Sequence, residues 1–260
     1  YYPLYAAPYE YTRELVKKGV SVSVVALARA ADAAEETVGG VFVRRLHLNA
    51  QPRFSVRLLF YFLRFARKEI KSGDFDLVHV YSFRGCAFLP LLDSAENRFW
   101  FFDLRTGNVN FGRPLLNWIA NRSAAAERFA FDDWAAISES VGTQVLGPGR
   151  RFQVLPLGAD LGRFAPGGND ALRKELNLSE ERVVVIYAGS LEPGRLIERV
   201  LQGFAIARQY HPQLFLLVVG DGRSRNTLAG LAERLGVRPS VCFAGQVPYT
   251  EVHKFVQAAD

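Results

Sequence analysis

Apolar runs alternate with amphipathic stretches along all 260 residues. Unbroken apolar runs include 183–188, 214–219 and 241–244. Runs of that length suit parallel strands buried on both faces. Further strands are predicted over 20–27, 41–47, 76–81, 99–102, 134–138 and 152–155. Helical spacing covers 10–18, 55–71, 84–93, 114–131, 195–210 and 223–235, with further helices starting near 139 and 249. Strand following helix in this way predicts an α/β fold with parallel sheets.

The pattern breaks once. Gly147-Pro148-Gly149 ends a helix, and a hinge follows: Val154-Leu155-Pro156-Leu157-Gly158-Ala159-Asp160, then Phe164-Ala165-Pro166. The polar stretch Gly167-Gly168-Asn169-Asp170 leads into a second α/β unit. The domain boundary is placed between Asp160 and Asp170, giving domains 1–160 and 161–260. The chain opens on Tyr1-Tyr2-Pro3, holds no methionine, and stops at Asp260 within a helical pattern. It reads as a fragment truncated at both ends, with the first strand missing and the second domain incomplete.

Composition narrows the function. Charged residues make up 22% and the net charge is +6, spread over both halves. A nucleic-acid footprint needs a clustered basic stripe, so no nucleic-acid partner is expected. Cys86 and Cys242 lie in apolar surroundings and read as reduced core residues of a cytoplasmic protein. No His/Cys/Asp/Glu spacing suits a metal ion, and no cofactor is called for.

Two strand ends carry the chemistry. The first is Ala188-Gly189-Ser190-Leu191, with Arg195 opening the next helical pattern; the second is Val219-Gly220-Asp221-Gly222. Open α/β sheets bind ligands beyond strand carboxyl ends, and a helix N-terminus there presents N–H groups to an anion. Two such ends with a fixed cation suit a diphosphate.

In this order the motifs resemble the family-4 glycosyltransferases of the GT-B fold, two Rossmann-like domains facing each other. The hinge resembles the family's V-x-P-N-G-V-D and F-x-P, with Leu157 in place of Asn. Gly189-Ser190-Leu191 stands where the family has G-R-L, and Arg195 where it has Lys. Gly220-Asp221-Gly222 matches its G-x-G, and Val241-Cys242-Phe243-Ala244-Gly245 its V-x-F-x-G. In the first domain Asp76-Leu77-Val78-His79 resembles a D-V-V-H strand, Ala6-Ala7 replaces a Gly-Gly, and Arg105 falls near a family His. The family's E-x7-E segment follows this point and is not in the chain.

The resemblance implies a hexosyltransferase-type enzyme that is retaining and metal-independent. The donor would be a nucleotide-diphosphate sugar held mainly by the second domain. The acceptor would be a glycan, a lipid-linked molecule or a small molecule, as in polysaccharide biosynthesis. Gly189, Ser190, Arg195, Asp221 and Gly222 become donor and phosphate candidates, and Gln246 and Val247 nucleobase candidates. Arg195 would meet charge growing on the leaving diphosphate; otherwise it is a solvated arginine in a helix's first turn. Ser190 brings no charge and reads equally as a helix cap. Ser190 and Ala6-Ala7 motivate the alternative, a non-catalytic nucleotide-sugar-binding protein of the same fold.

Asp103 and Arg105 are the catalytic candidates on the acceptor side, expected outside the core because a polar pair ends an aromatic strand. A simple Asp–Arg pair is the competing reading. His79, within an apolar strand, reads as a satisfied core histidine. Residues 53–71 mix Arg with Phe and Tyr. Leu58, Phe62, Phe65 and Ile70 share a core-facing side, which leaves Phe60 and Tyr61 by the basic face. That arrangement fits peripheral contact with the inner membrane face or an ordinary amphipathic helix with solvated bases.

Overall fold

A computed structural model describes residues 6–28, 33–47, 56–94, 97–107 and 114–260. The opening Tyr1–Tyr5 and the Arg53–Ser55 end of the basic stretch lie outside the described residues. Chain contacts divide it into two units, Tyr1–Gly158 and Ala159–Asp260.

The first unit runs α1 (Ala6–Lys17), β1 (Ser23–Leu27), β2 (Glu35–Val38), β3 (Val41–Leu46), α2 (Val56–Ser72), β4 (Leu77–Tyr81), α3 (Phe88–Leu91), β5 (Phe99–Leu104), α4 (Pro114–Glu127), β6 (Asp133–Ala136), α5 (Glu139–Leu146) and β7 (Gln153–Val154). Its parallel sheet has the order β4-β5-β6-β7, and a smaller sheet has the order β1-β3-β2. The β2–β3 hairpin is absent from the sequence prediction. Gly39 and Gly40 supply the two left-handed residues, φ 57° and 80°, that a two-residue hairpin turn requires. The helix expected over 84–93 shrinks to one turn, because Gly85 takes φ 88° and the Gly85 and Ala87 amides turn to the Glu127 carboxylate.

Strand β5 decides what this unit can present. Trp100, Phe102 and Leu104 point into a core closed by Leu89, Ala125, Phe131 and Val145. Each large side chain so buried contributes about 1.5–3 kcal/mol. Period-two alternation sends Phe101 and Asp103 to the opposite face. The parallel register sets His79 beside Phe101 and Tyr81 beside Asp103.

The second unit runs α6 (Asp170–Glu175), β8 (Val183–Ala188), α7 (Ile197–Tyr210), β9 (Leu214–Val219), α8 (Arg225–Arg234), β10 (Val241–Gly245) and α9 (Tyr249–Gln257). Helix α6, not anticipated, is capped by the Asn169 side chain, which accepts from the Leu172 amide. The sheet order is β10-β9-β8, all parallel. Leu216 and Val218 pack with Leu201, Phe204 and Leu228 on one face, while Leu217 and Val219 pack with Val184 and Leu178 on the other. Burial on both faces is why these strands read as unbroken apolar runs.

Candidate donor and acceptor sites

In the second unit, parallel pairing brings the carboxyl ends of β8, β9 and β10 side by side. The Gly189 amide donates to the Val219 carbonyl (2.9 Å) and the Gly220 amide to the Gly245 carbonyl (2.7 Å). One residue further, the Leu191 amide donates to Asp221 (3.0 Å) and the Ser224 amide to Leu191 (2.9 Å). The glycines permit this closeness. A Cβ on Gly220, whose φ is 131°, would lie 1.9 Å from the Gly189 carbonyl oxygen. One on Gly222 would lie 2.6 Å from the Leu191 carbonyl. Gly189, Ser190, Asp221, Gly222, Gln246 and Val247 thus gather along one sheet edge, as the sequence placed them.

Arg195 differs from expectation in one respect. Helix α7 starts at Ile197, so Arg195 stands in the turn before it, where its amide donates to the Glu192 carbonyl at 3.2 Å. Gly194 has φ 89° and Leu196 φ 58°, two left-handed residues that hold the turn off the helix. Leucine in that region costs about 1–3 kcal/mol. Arg195 is exposed, with no ion-pair partner among the described residues. The helices that begin at this edge, α7 and α8, lack side-chain caps, unlike α5 and α6, capped by Ser138 and Asn169. Uncapped first-turn amides suit an anion.

Two further arginines stand here that the sequence reading passed over. Arg223 Nε donates to Glu192 Oε2 at 2.7 Å, and Arg225 Nη1 pairs with Asp221 Oδ2 at 3.2 Å. Arg225 Nη1 also lies 3.8 Å from the Cβ position of Gly245, so it reaches the end of β10. Arg223-Ser224-Arg225 follows G-x-G directly, and that run was the available signal. Ser190 provides no cation, and its carbonyl accepts from the Tyr187 hydroxyl (3.1 Å).

In the first unit, Asp103 corrects the expectation that the polar pair lies outside the core: it is fully buried. Its Oδ2 meets His79 Nε2 and accepts from Arg105 Nε, both at 2.8 Å. The Asp–Arg pair is therefore present; His79 is held by the same carboxylate but is exposed, so it is not the core histidine expected. Asp103 Oδ1 has no partner among the described residues. Arg105 Nη1 donates to the Leu155 carbonyl at 3.2 Å, and its guanidinium lies 5.3 Å from the rings of both Tyr11 and Tyr81. Burial works against the Arg105 charge, yet the Asp103 bond and charge more than offset it, holding its pKa above the ordinary arginine value. Burial pushes the Tyr81 phenol up to about 12, with Asp103 adding and Arg105 opposing. The Tyr11 hydroxyl donates to the Pro156 carbonyl.

Across the sheet, a cavity of about 130 Å³ opens where β4 and β5 end. Ser82, Arg84, Thr106, Ser123 and Glu127 give it a polar lining over Phe102. Glu127 accepts from the Gly85 amide at 2.9 Å, the Ala87 amide at 3.2 Å and Cys86 Sγ at 3.1 Å. Nothing local in the sequence singles out Glu127, because its partners lie some forty residues earlier.

Consecutive α/β units, each built on a parallel sheet, are the architecture of the GT-B class. The chain aligns with sucrose-phosphate synthase from Thermosynechococcus elongatus at a TM-score of 0.72 and 19% identity, covering 96% of this chain and 67% of that one. Residues 6–158 match the family described as glycosyl transferase 4-like domain, and 168–260 match glycosyl transferases group 1. The chain belongs to the family-4 GT-B glycosyltransferases. Over 115 residues it is 35% identical to the D-inositol 3-phosphate glycosyltransferase of Segniliparus rotundus, covering 43% of this chain and 26% of that one. To the enzyme of that name from Nocardia farcinica it is 25% identical over 274 positions, covering 95% of this chain and 60% of that one. The chain thus spans less than two thirds of the length of these relatives.

Proposed function

We propose that this chain binds a nucleotide-diphosphate sugar on its second unit and serves transfer of the sugar to an acceptor held by the first. The observation that carries the reading is the joined edge of β8, β9 and β10. There Gly220 and Gly222 let backbone approach backbone, and Arg195 stands exposed in the turn before α7, with no ion-pair partner among the described residues. A diphosphate needs fixed positive charge and N–H donors, and this edge offers both. Arg195 and the first-turn amides of α7 would take the phosphates, and Gln246 and Val247 the base. Charge growing on the leaving phosphate would be met by Arg195, with Arg225 one exchange of partner away from assisting.

The acceptor reading rests on the polar cavity at the ends of β4 and β5 and on Arg105. Asp103 acts through Arg105, since a fully buried carboxylate bonded twice is placed to orient a neighbour. The relatives named for D-inositol 3-phosphate suggest a polyol or sugar acceptor. The transfer would be retaining and independent of metal, as the family resemblance implies. Ser190 supports the second reading, nucleotide-sugar binding without turnover, because it removes one cation from the leaving-group side.

Calorimetry with UDP, GDP and ADP tests the donor half. Binding of at least one, weakened at least tenfold in Arg195→Ala (about 1.4 kcal/mol), supports it. Absence of binding to all three sinks it. Release of nucleotide from sugar nucleotides, with and without polyol acceptors, then separates transfer from binding alone.

A further inference from the structure

Leu191 fixes which side chains face outward at the end of β8. It is fully buried, while its neighbours Ser190 and Glu192 are partly exposed. The loop after β9 is stitched to the same residue: the Leu191 amide donates to the Asp221 carbonyl, and the Ser224 amide to the Leu191 carbonyl. Arg223 lies inside that stitch and reaches across it. Its Nε donates to Glu192 Oε2 at 2.7 Å and its amide to Glu192 Oε1 at 3.4 Å. The guanidinium is thereby brought to a side chain two residues from Ser190, where the family pattern has an arginine and this chain has no charge.

The form of this pair matters. Glu192 engages the guanidinium through Nε, and neither Nη1 nor Nη2 of Arg223 has a partner among the described residues. The fork that suits two oxygens of a phosphate is therefore open. The two side chains are 80 and 40% exposed, and an ion pair so exposed contributes little, so an anion can displace the carboxylate easily. The Arg223 hydrogen bonds are the main cause holding the Glu192 carboxyl below its ordinary value. Arg225 repeats the arrangement on the same loop, with Asp221 as its carboxylate. Each arginine that follows G-x-G thus already holds one anionic group.

We propose that Arg223 is a phosphate ligand of the donor site, supplying the cation that Ser190 lacks, and that Glu192 masks it until a diphosphate displaces the carboxylate. The proposal rests on the donor reading above and adds a residue and a brake to it. On binding, Arg223 exchanges one carboxylate oxygen for a forked contact with phosphate, and Glu192 returns to water. Arg195 and Arg223 then meet the diphosphate from two different loops. A simple brace between the loops is the competing account. The two differ in sign: a brace makes Glu192 helpful to ligand binding, and a mask makes it a hindrance.

Calorimetry with inorganic pyrophosphate, UDP, GDP and ADP separates them. Arg223→Gln should weaken binding about tenfold. Glu192→Gln should tighten it about two- to fivefold. The double variant should bind no better than Arg223→Gln, because the mask has nothing left to cover. Adding Ser190→Arg to Arg223→Gln should restore most of the lost affinity. Arg234→Gln, at the last residue of α8, should leave binding unchanged and so exclude an effect of net charge. Residues 192, 223 and 234 carry exposed side chains, and unchanged circular dichroism confirms the fold. The proposal is overturned if Glu192→Gln weakens binding, if Arg223→Gln binds like the parent chain, or if Glu192→Gln tightens binding equally without Arg223. In those cases a probe still binds and Arg195→Ala still weakens it, so the donor reading stands. If none of the four probes binds, both fall.

Discussion

A Cβ at position 220 would stand 1.9 Å from the carbonyl oxygen of Gly189, so the ends of β8 and β9 meet backbone to backbone. That oxygen belongs to main chain and cannot swing aside. Gly220 also holds φ 131°, which disfavours any side chain. Gly220→Ala should therefore destabilise the second unit by about 2–4 kcal/mol, with a lower urea midpoint. Gly203 in α7 meets nothing within 4 Å and makes the control. There Gly→Ala should stabilise by up to about 1 kcal/mol. Equal stability of Gly220→Ala and the parent chain would show that β8 and β9 do not meet in this way.

Arg195 and Arg225 should separate by how they are held. Arg195 is exposed with no ion-pair partner among the described residues, so Arg195→Ala should change stability by no more than about 0.5 kcal/mol. Its whole cost falls on nucleotide affinity. Arg225 is paired with Asp221, so Asp221→Asn should release it and tighten UDP or GDP binding by about two- to fivefold. Ser190→Arg, which restores the cation of the family pattern, should also tighten binding. Calorimetry reads all three, and weaker binding in Asp221→Asn would assign Asp221 a direct ligand contact instead.

Asp103 holds two partners in a dry site, so its removal should be felt mainly as stability. Asp103→Asn leaves Arg105 with burial and no opposing charge, at a cost of about 3–5 kcal/mol. Adding Arg105→Gln should recover part of that loss, because residues in one network are not additive. Purely additive losses in chemical unfolding would mean that the pair does not interact.

Tyr81 gives a pH dependence with a definite sign. Its pKa rises from 10.0 to about 12 in the folded chain, chiefly through burial. Between those values the folded chain keeps a proton that the unfolded chain has lost. The stabilisation is complete below about pH 10 and disappears as pH rises through about 12. Urea midpoints measured across that window should fall, and Tyr81→Phe should flatten the fall by roughly 2 kcal/mol.

The second unit was the more legible in sequence. Strands β8 and β9 were predicted with the bounds observed, because residues buried on both faces leave an apolar run with sharp ends. Short elements were not legible. Strand β2 spans Glu35–Val38 and presents no apolar stripe, so only Gly39-Gly40 announced it. Helix α6 has no buried residue and rests on its Asn169 cap. At the candidate sites, glycine spacing located the close approach of the β8 and β9 ends, since backbone approach demands glycine whatever surrounds it. The burial of Asp103 escaped notice because it depends on Tyr11 and Leu155, some ninety and fifty residues away, closing over Arg105. Contacts of that range leave no local pattern.

The cysteines provide a test that needs no ligand. Cys86 is fully buried, and its Sγ lies 3.1 Å from Glu127 Oε2. Burial is the larger cause and the Glu127 charge adds to it, holding the thiol far above its ordinary value of 9.0. Cys242 is partly buried and raised as well, again by burial, with Arg238 opposing. The thiolate is the reactive form, so neither should react quickly with a thiol reagent near neutral pH. Cys242 should react first, because it is the more accessible and has Arg238, not a carboxylate, as the charge acting on it among the described residues. Cys86 should react only at the rate of unfolding. Glu127→Gln keeps the shape but weakens the grip on the Gly85 and Ala87 amides, so it should loosen this loop and speed Cys86 labelling. Labelling of Cys86 as fast as that of a free thiol, in the folded chain, would show that the loop from 83 to 87 does not close over it.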